Sequence, residues 1–361
     1  MGVTVMNIQQ FRQRASRELT MGLAKRVMPF AALLSFLIPI STALAQSPSS
    51  PISPEDYMKL GAADTSAGDF DLAITDYSKA IELRPGLTDA YYRRGIVYGK
   101  KGDYDKAIAD YNKAIEIDPA KAEFYNHRGT AQANKADFDQ AINDYTRAIQ
   151  LKPDYSEAYG NRGIAYHNTR DYDRAIGDFN TSIQLKPGVS AAYYNRGKAY
   201  AEKGDPKQAI ADATKAIELK PDNAGAYALR AQAYSVSNDY KRANTDCLKA
   251  MKFNPSFGNK IWREIGWIEY KAARYKNAIL SFHNAMELDD QDVATQFNLA
   301  LACAASGDWE AAEPEYMVGL GIAHQKDTKL AFERIMEALK LDPRSKALKS
   351  ALALLQTSPS H

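Results

Sequence analysis

Two cysteines in a chain of 361 residues, Cys247 and Cys303, cannot build a disulfide framework. They read as two buried free thiols, since unpaired cysteine is among the residues most often found in cores. Histidine is scarce too: His127, His167, His283, His324 and His361 fall at no metal-ligating spacing. There is no HExxH, no GxSxG, no P-loop and no dinucleotide-binding glycine fingerprint. A bias of charge is also lacking, with 46 basic against 44 acidic residues, so no phosphate-tracking stripe is implied. These absences argue against an enzyme, against a bound metal or cofactor, and against a nucleic-acid partner.

Long apolar runs are absent with one exception. Val27 to Ala45 is largely apolar and follows Arg12, Arg14, Arg17, Lys25 and Arg26. With the small-residue pattern Ala43-Leu44-Ala45, residues 1–45 read as a secretory signal peptide cleaved near Ala45-Gln46. Met21 is an alternative start. No cysteine follows the cleavage site, which argues against a lipoprotein. An uncleaved anchor is the competing reading, and Pro29 and Pro39 weigh against it. The leader holds five basic residues and one acidic, so 41 and 43 remain and the mature chain is near −2. The expectation is an exported protein, periplasmic or secreted, whose mature chain does not span a membrane.

What is present is a repeat. Pro85, Pro119, Pro153, Pro187, Pro221 and Pro255 stand 34 residues apart. Tyr57, Tyr91, Tyr125, Tyr159, Tyr193 and Tyr227 keep the same step, and so do Gly61, Gly95, Gly129, Gly163, Gly197 and Ala231. Each unit reads as two helices. Tyr159, Gly163 and Tyr166 share a face at i, i+4, i+7, and Gly163 lets a neighbouring helix come close. Asp171 and its equivalents Asp69, Asp103, Asp137, Asp205 and Asp239 stand where the second helix needs an N-cap. Lys186-Pro187 ends that helix, because the residue before proline disfavours the α region.

This pattern resembles the tetratricopeptide repeat family, in an exported bacterial form. The resemblance implies an all-α, right-handed superhelical solenoid of helix-turn-helix units whose first helices line a concave surface. Residues 46–53 form a Ser/Pro linker, 54–292 seven units, and 293–326 a degenerate eighth. Pro314 falls inside the second helix of that eighth unit and should kink or shorten it. Residues 327–356 hold a partial repeat (a lone second helix, Ala331 to Pro343) and a capping helix; 357–361 form a disordered tail. Asp64 and Gln132 replace the first-helix tyrosine, and Ala213 and Cys247 the second-helix aromatic, so those sites should pack less fully.

Two ladders run through the repeats. Arg94, Arg128, Arg162, Arg196 and Arg230 occupy a position that is usually leucine in the family, and Asp76, Asp110, Asp144, Asp178 and Asp212 recur beside packing positions, as does Asp246. Bidentate arginine–carboxylate pairs would suit this series. Two pairings are open: within a unit (Arg94–Asp110) or across units (Asp76–Arg94). Unit one has Asp76 but Leu60 in place of arginine, which favours the cross-unit pairing. An anion-binding role for the arginines is the alternative.

The second ladder faces the groove. The family's ligand-contacting positions, carried onto this chain, are Tyr92, Arg93, Asn126, His127, Asn161, Tyr194, Asn195 and Lys198, with Asn298 equivalent in the eighth unit. Asparagine offers a donor and an acceptor to the backbone of an extended peptide, and tyrosine adds area at low entropic cost. The expected function is a non-enzymatic protein–protein interaction scaffold for assembling an envelope, secretion or pilus complex. A periplasmic chaperone-like binder of unfolded chains is one alternative; a carbohydrate-binding protein or enzyme using the tyrosine-rich groove is the other. Trp267 is a candidate contact for homodimers formed through the C-terminal units.

Overall fold

A computed structural model describes residues 52–322 and 325–357, so the leader, most of the Ser/Pro linker and the end of the tail lie outside the described residues. The described chain is all-helical. Unit one pairs α1 (Pro54–Ala67) with α2 (Phe70–Leu83), and unit two pairs α3 (Thr88–Lys101) with α4 (Tyr104–Ile117). Unit three holds α5 (Ala122–Asn134) and α6 (Phe138–Leu151); unit four holds α7 (Ser156–Asn168) and α8 (Tyr172–Leu185). Unit five follows with α9 (Ser190–Lys203) and α10 (Pro206–Leu219), and unit six with α11 (Ala224–Val236) and α12 (Tyr240–Phe253). A 3-10 turn, Pro255–Phe257, leads to α13 (Gly258–Lys271) and α14 (Tyr275–Met286) of unit seven. The eighth pair is α15 (Val293–Ala305) and α16 (Trp309–Ile322), and α17 (Gln325–Leu341) and α18 (Lys346–Thr357) finish the array.

Local chemistry sets the helix ends. Asp137, Asp171, Asp205 and Asp239 accept a bond from the backbone N–H three residues on, as N-caps do, while Asp69 and Asp103 make no such bond. Residues before the repeat prolines are extended, with φ of −143° at Arg84 and −138° at Lys186. The turn inside each unit needs one left-handed residue. Glycine supplies it at Gly68, Gly102, Gly204 and Gly307, but Ala136, Arg170, Asn238 and Ala273 hold φ near +60° instead. That conformation brings Cβ against a carbonyl, a strain that glycine would remove.

Each first helix packs on the second helix of its own unit and on that of the unit before. Successive first helices also touch one another, whereas successive second helices make no comparable contact. The stack is therefore a superhelical solenoid with the first helices on its inner side. In units one to four and in unit seven the glycine of the first helix admits an aromatic ring. A Cβ on Gly163 would lie 2.8 Å from a Phe179 ring carbon, and one on Gly95 equally close to Tyr111. Unit six has Cys247 in place of the ring and Ala231 in place of the glycine.

Two expectations for the C-terminal region change. Pro314 does not shorten α16, which runs 14 residues like the second helices of units one to six. Pro314 stands inside the helix, at its sixth residue, where it removes one backbone hydrogen bond on a solvent-facing side. The segment expected to be a lone second helix starts earlier, as α17, and leaves the alternation: it packs on α15 and α18, not along α16. With α16 on one side and α17 and α18 on the other, almost all of α15 from Thr295 to Ala304 is buried.

Candidate partner-binding groove

The arginine ladder holds the units together beneath the groove. In all five units the guanidinium binds the carboxylate 16 residues ahead with two bonds; for Arg162 and Asp178 both are 2.8 Å. Arg94 takes Asp110, Arg128 takes Asp144, Arg196 takes Asp212 and Arg230 takes Asp246 in the same way. The favoured pairing of Asp76 with Arg94 is thus corrected to the within-unit pairing.

The same guanidinium does reach across units, to the residue 16 before it. Arg94 donates to Ser78, Arg128 to Asn112, Arg162 to Thr146, Arg196 to Asn180 and Arg230 to Thr214. Asp76 stands two residues before Ser78, and two residues turn a side chain by about 200° around a helix. Hence a short polar residue, not the aspartate, faces the next unit's arginine. Each guanidinium also lies over its own unit's tyrosine, 5.5 to 5.8 Å from the ring centre. The aspartates are buried, so these arginines are tied up in structure and do not present a free anion site.

Above this layer, the N-terminal half of the groove is already bonded to itself. Tyr92 packs against Phe124 at 4.9 Å and edge-on to His127 at 5.2 Å. Burial, with Glu123 nearby, pushes the Tyr92 hydroxyl up to about 12. His127 Nδ1 lies 2.9 Å from the Glu123 carbonyl, and since a carbonyl only accepts, Nδ1 carries the proton. Asn126 is 1% exposed and is not a groove-surface residue: it donates to Tyr155 and Glu157 and accepts from Asn161 at 3.1 Å. Placing Asn126 on the contact surface is therefore corrected, because Tyr155 and Glu157 close over it. Arg93 is exposed and paired with Asp89 at 2.6 Å. Asn195 is half-buried and makes no side-chain hydrogen bond within the described residues.

Further along, the groove opens. A recess of about 350 Å³ lies between α9, α11 and α13. Tyr194, Lys198 and Glu202 border it from α9; Gly225, Ala228, Leu229 and Gln232 from α11; Lys260, Ile261 and Glu264 from α13, with Phe257 just before. It coincides with the two units that lack the second-helix ring. With Ala213 at that place, Leu229 leans over Gly197, where an added Cβ would meet it at 3.1 Å, and is buried there. Cys247, itself fully buried, borders the same recess. The sequence reading placed unit seven but did not carry the ligand-contacting positions into it, where they include Lys260 and Glu264.

Beyond Trp267 the groove is closed by the chain itself. Arg334 of α17 lies 4.5 Å over the Trp267 ring and bonds to Asn298. Asn298, expected on the groove surface, is 1% exposed. Trp267 is likewise used internally, against Tyr270, Phe282 and Arg334, and is not a free interface residue. Among the described residues no His, Cys, Asp or Glu cluster has the geometry to hold a metal ion. No described helix is long and apolar enough to cross a membrane.

Family models described as tetratricopeptide repeat match residues 88–121 and 190–223, 156–188, and 263–320, and one described as TPR repeat matches 61–102 and 137–169. Among solved structures, MamA is 32% identical over 47% of this chain and 93% of its own, with a TM-score of 0.43. The C-terminal part of a TPR repeat-containing protein from Cytophaga hutchinsonii is 22% identical, covering 67% of this chain and 99% of its own with a TM-score of 0.54. Pseudomonas aeruginosa pilF is 20% identical, covering 56% and 92% with a TM-score of 0.51. The last two show the shared fold. None of the curated proteins compared with the chain matches it in sequence.

Proposed function

Because this chain belongs to the tetratricopeptide repeat family, we propose that it is an interaction scaffold whose inner groove, from α9 to α13, holds a partner protein. The recess between those helices is the observation that carries this reading: an apolar floor of Ala228, Leu229 and Ile261 with Lys198, Gln232 and Glu264 around it. A few polar groups around a concave apolar surface supply orientation and area together. The signal-peptide pattern in residues 1–45 supports an exported scaffold that assembles an envelope, secretion or pilus complex, and the absence of catalytic motifs from the sequence supports a non-enzymatic role.

The test is affinity recovery of the full chain from its own cell-envelope extract, set beside Gln232→Arg in the groove and Leu280→Asp on the outer helix α14. One or two proteins lost with Gln232→Arg and kept with Leu280→Asp is the expected result. A broad set of unfolded clients would favour the chaperone-like reading, and recovery unaffected by Gln232→Arg would sink the groove as the binding surface.

A further inference from the structure

We propose that the open groove beside α17 receives an amphipathic helix of the partner protein, with one large apolar side chain seated in the recess between α9, α11 and α13. This rests on the groove reading above and goes further by fixing the form of the ligand. Three observations point to a helix, not an extended strand.

The first is the hydrogen-bond inventory. An extended peptide exposes a donor and an acceptor at nearly every residue and needs partners for them. On α5 and α7, the stretch an extended peptide would cross on leaving the recess, the groove residues suited to that task are engaged: Asn126 is buried under Tyr155, Asn161 donates to Asn126, and His127 donates to the Glu123 carbonyl. Of the amide ladder, Asn195 alone is left without a partner among the described residues. A helix satisfies its own backbone and asks the groove only for side-chain contacts.

The second is what already lies there. The chain's own occupant of the groove over unit eight is the helix α17. Ala331, Ile335 and Ala338 are buried at i, i+4, i+7, with Ile335 fully enclosed, and Arg334 beside them covers Trp267. Small residues let the helix axis come close, and Ile335 anchors it, with Phe332 and Leu339 packed beside it. The recess is the next feature along the same inner surface, since α13 contributes Ile261 and Glu264 to it and Trp267 to the α17 contact.

The third is shape and charge. A volume of about 350 Å³ lies at the small end of ligand pockets, roughly 300–1,000 Å³, and suits an anchor side chain with its neighbours. Lys198 and Lys260 are offset by Glu202 and Glu264. The recess therefore selects on apolar fit more than on net charge.

The probe is a pair of displayed peptide libraries, one built on a constrained helical scaffold and one linear, each selected against the full chain. Recovered peptides are measured on the wild type, Gln232→Arg, Ala228→Trp and Leu280→Asp, with circular dichroism of each variant to confirm the fold. Gln232 is exposed, so its variant is expected to fold even if Ala228→Trp does not. The proposal expects helical binders carrying an apolar anchor, weakened about ten-fold or more by Gln232→Arg, as loss of a central contact does, and unchanged by Leu280→Asp. Extended binders from the linear library that Gln232→Arg weakens would overturn the helix while leaving the groove standing. Binders indifferent to Gln232→Arg, or none from either library, would overturn both.

Discussion

Units two to six and units seven and eight solve the same stacking problem with different chemistry. In the former, the apolar core is broken into small clusters around single rings such as Tyr111, Tyr145 and Phe179. The gaps between units are bridged by a half-buried arginine that grips its own unit's aspartate and donates to a short polar residue of the unit before. In unit seven Ile265 and Ser281 replace that pair, and from there one apolar cluster runs from Phe282 through Leu299 to Ile335 and Leu348. The ladder is directional and fixes each unit's rotation on the next. The apolar half tolerates departure from the repeat, and there α17 leaves the alternation. A regular ladder keeps a groove open; a pooled core lets the chain fold back and close it.

The sharpest way to break this comparison is to remove one rung. Arg162→Leu leaves Asp178 buried without its charge partner and should cost about 3–5 kcal/mol in urea unfolding, against about 0.5 kcal/mol or less for the exposed Arg147→Leu. Arg162→Ile with Asp178→Ser copies unit seven's solution, and it should recover more than half of the loss, since no orphaned charge remains.

On the other side, Ile335→Ala should cost about 2–5 kcal/mol. Its effect should be confined: amide exchange should quicken in α15, α17 and α18 and stay unchanged in α5 to α8. Spread of the loss into the ladder units would mean that the halves are one cooperative body.

A gain is expected at the turns. Arg170→Gly relieves a left-handed residue and should add about 1 kcal/mol, read as a raised unfolding midpoint.

The smallest effect concerns His167. Burial first, and then Lys198, hold its imidazole below the ordinary 6.5. The unfolded chain then takes up a proton that the folded chain refuses. This contribution to stability is present above about pH 6.5 and declines as pH falls, until the folded imidazole itself titrates. Lys198→Met should raise the His167 value in an NMR titration; an unchanged value would remove Lys198 as a cause.

The periodic part of this molecule was legible because 34-residue spacing of proline, tyrosine and glycine reports packing that every unit repeats. The two missing rings at Ala213 and Cys247 even marked where the recess lies. What was not legible depended on rotation and on contacts outside the period. Which carboxylate meets Arg94 turns on a two-residue offset between Asp76 and Ser78. The burial of Asn126 depends on Tyr155, which stands outside the aromatic and glycine pattern of the repeat. The covering of Asn298 by Arg334 comes from a helix whose sequence fits a second helix yet packs elsewhere.

The central claim, that the inner surface from α9 to α13 is where a partner sits, is tested most directly by lysine-acetylation footprinting of the full chain with its recovered partner bound. Lys198 and Lys260 border the recess, while Lys215 and Lys249 lie on the second helices α10 and α12. The account predicts that the partner shields the first two and leaves the last two as reactive as in the free chain. Shielding of Lys215 and Lys249, with Lys198 and Lys260 unchanged, would contradict it.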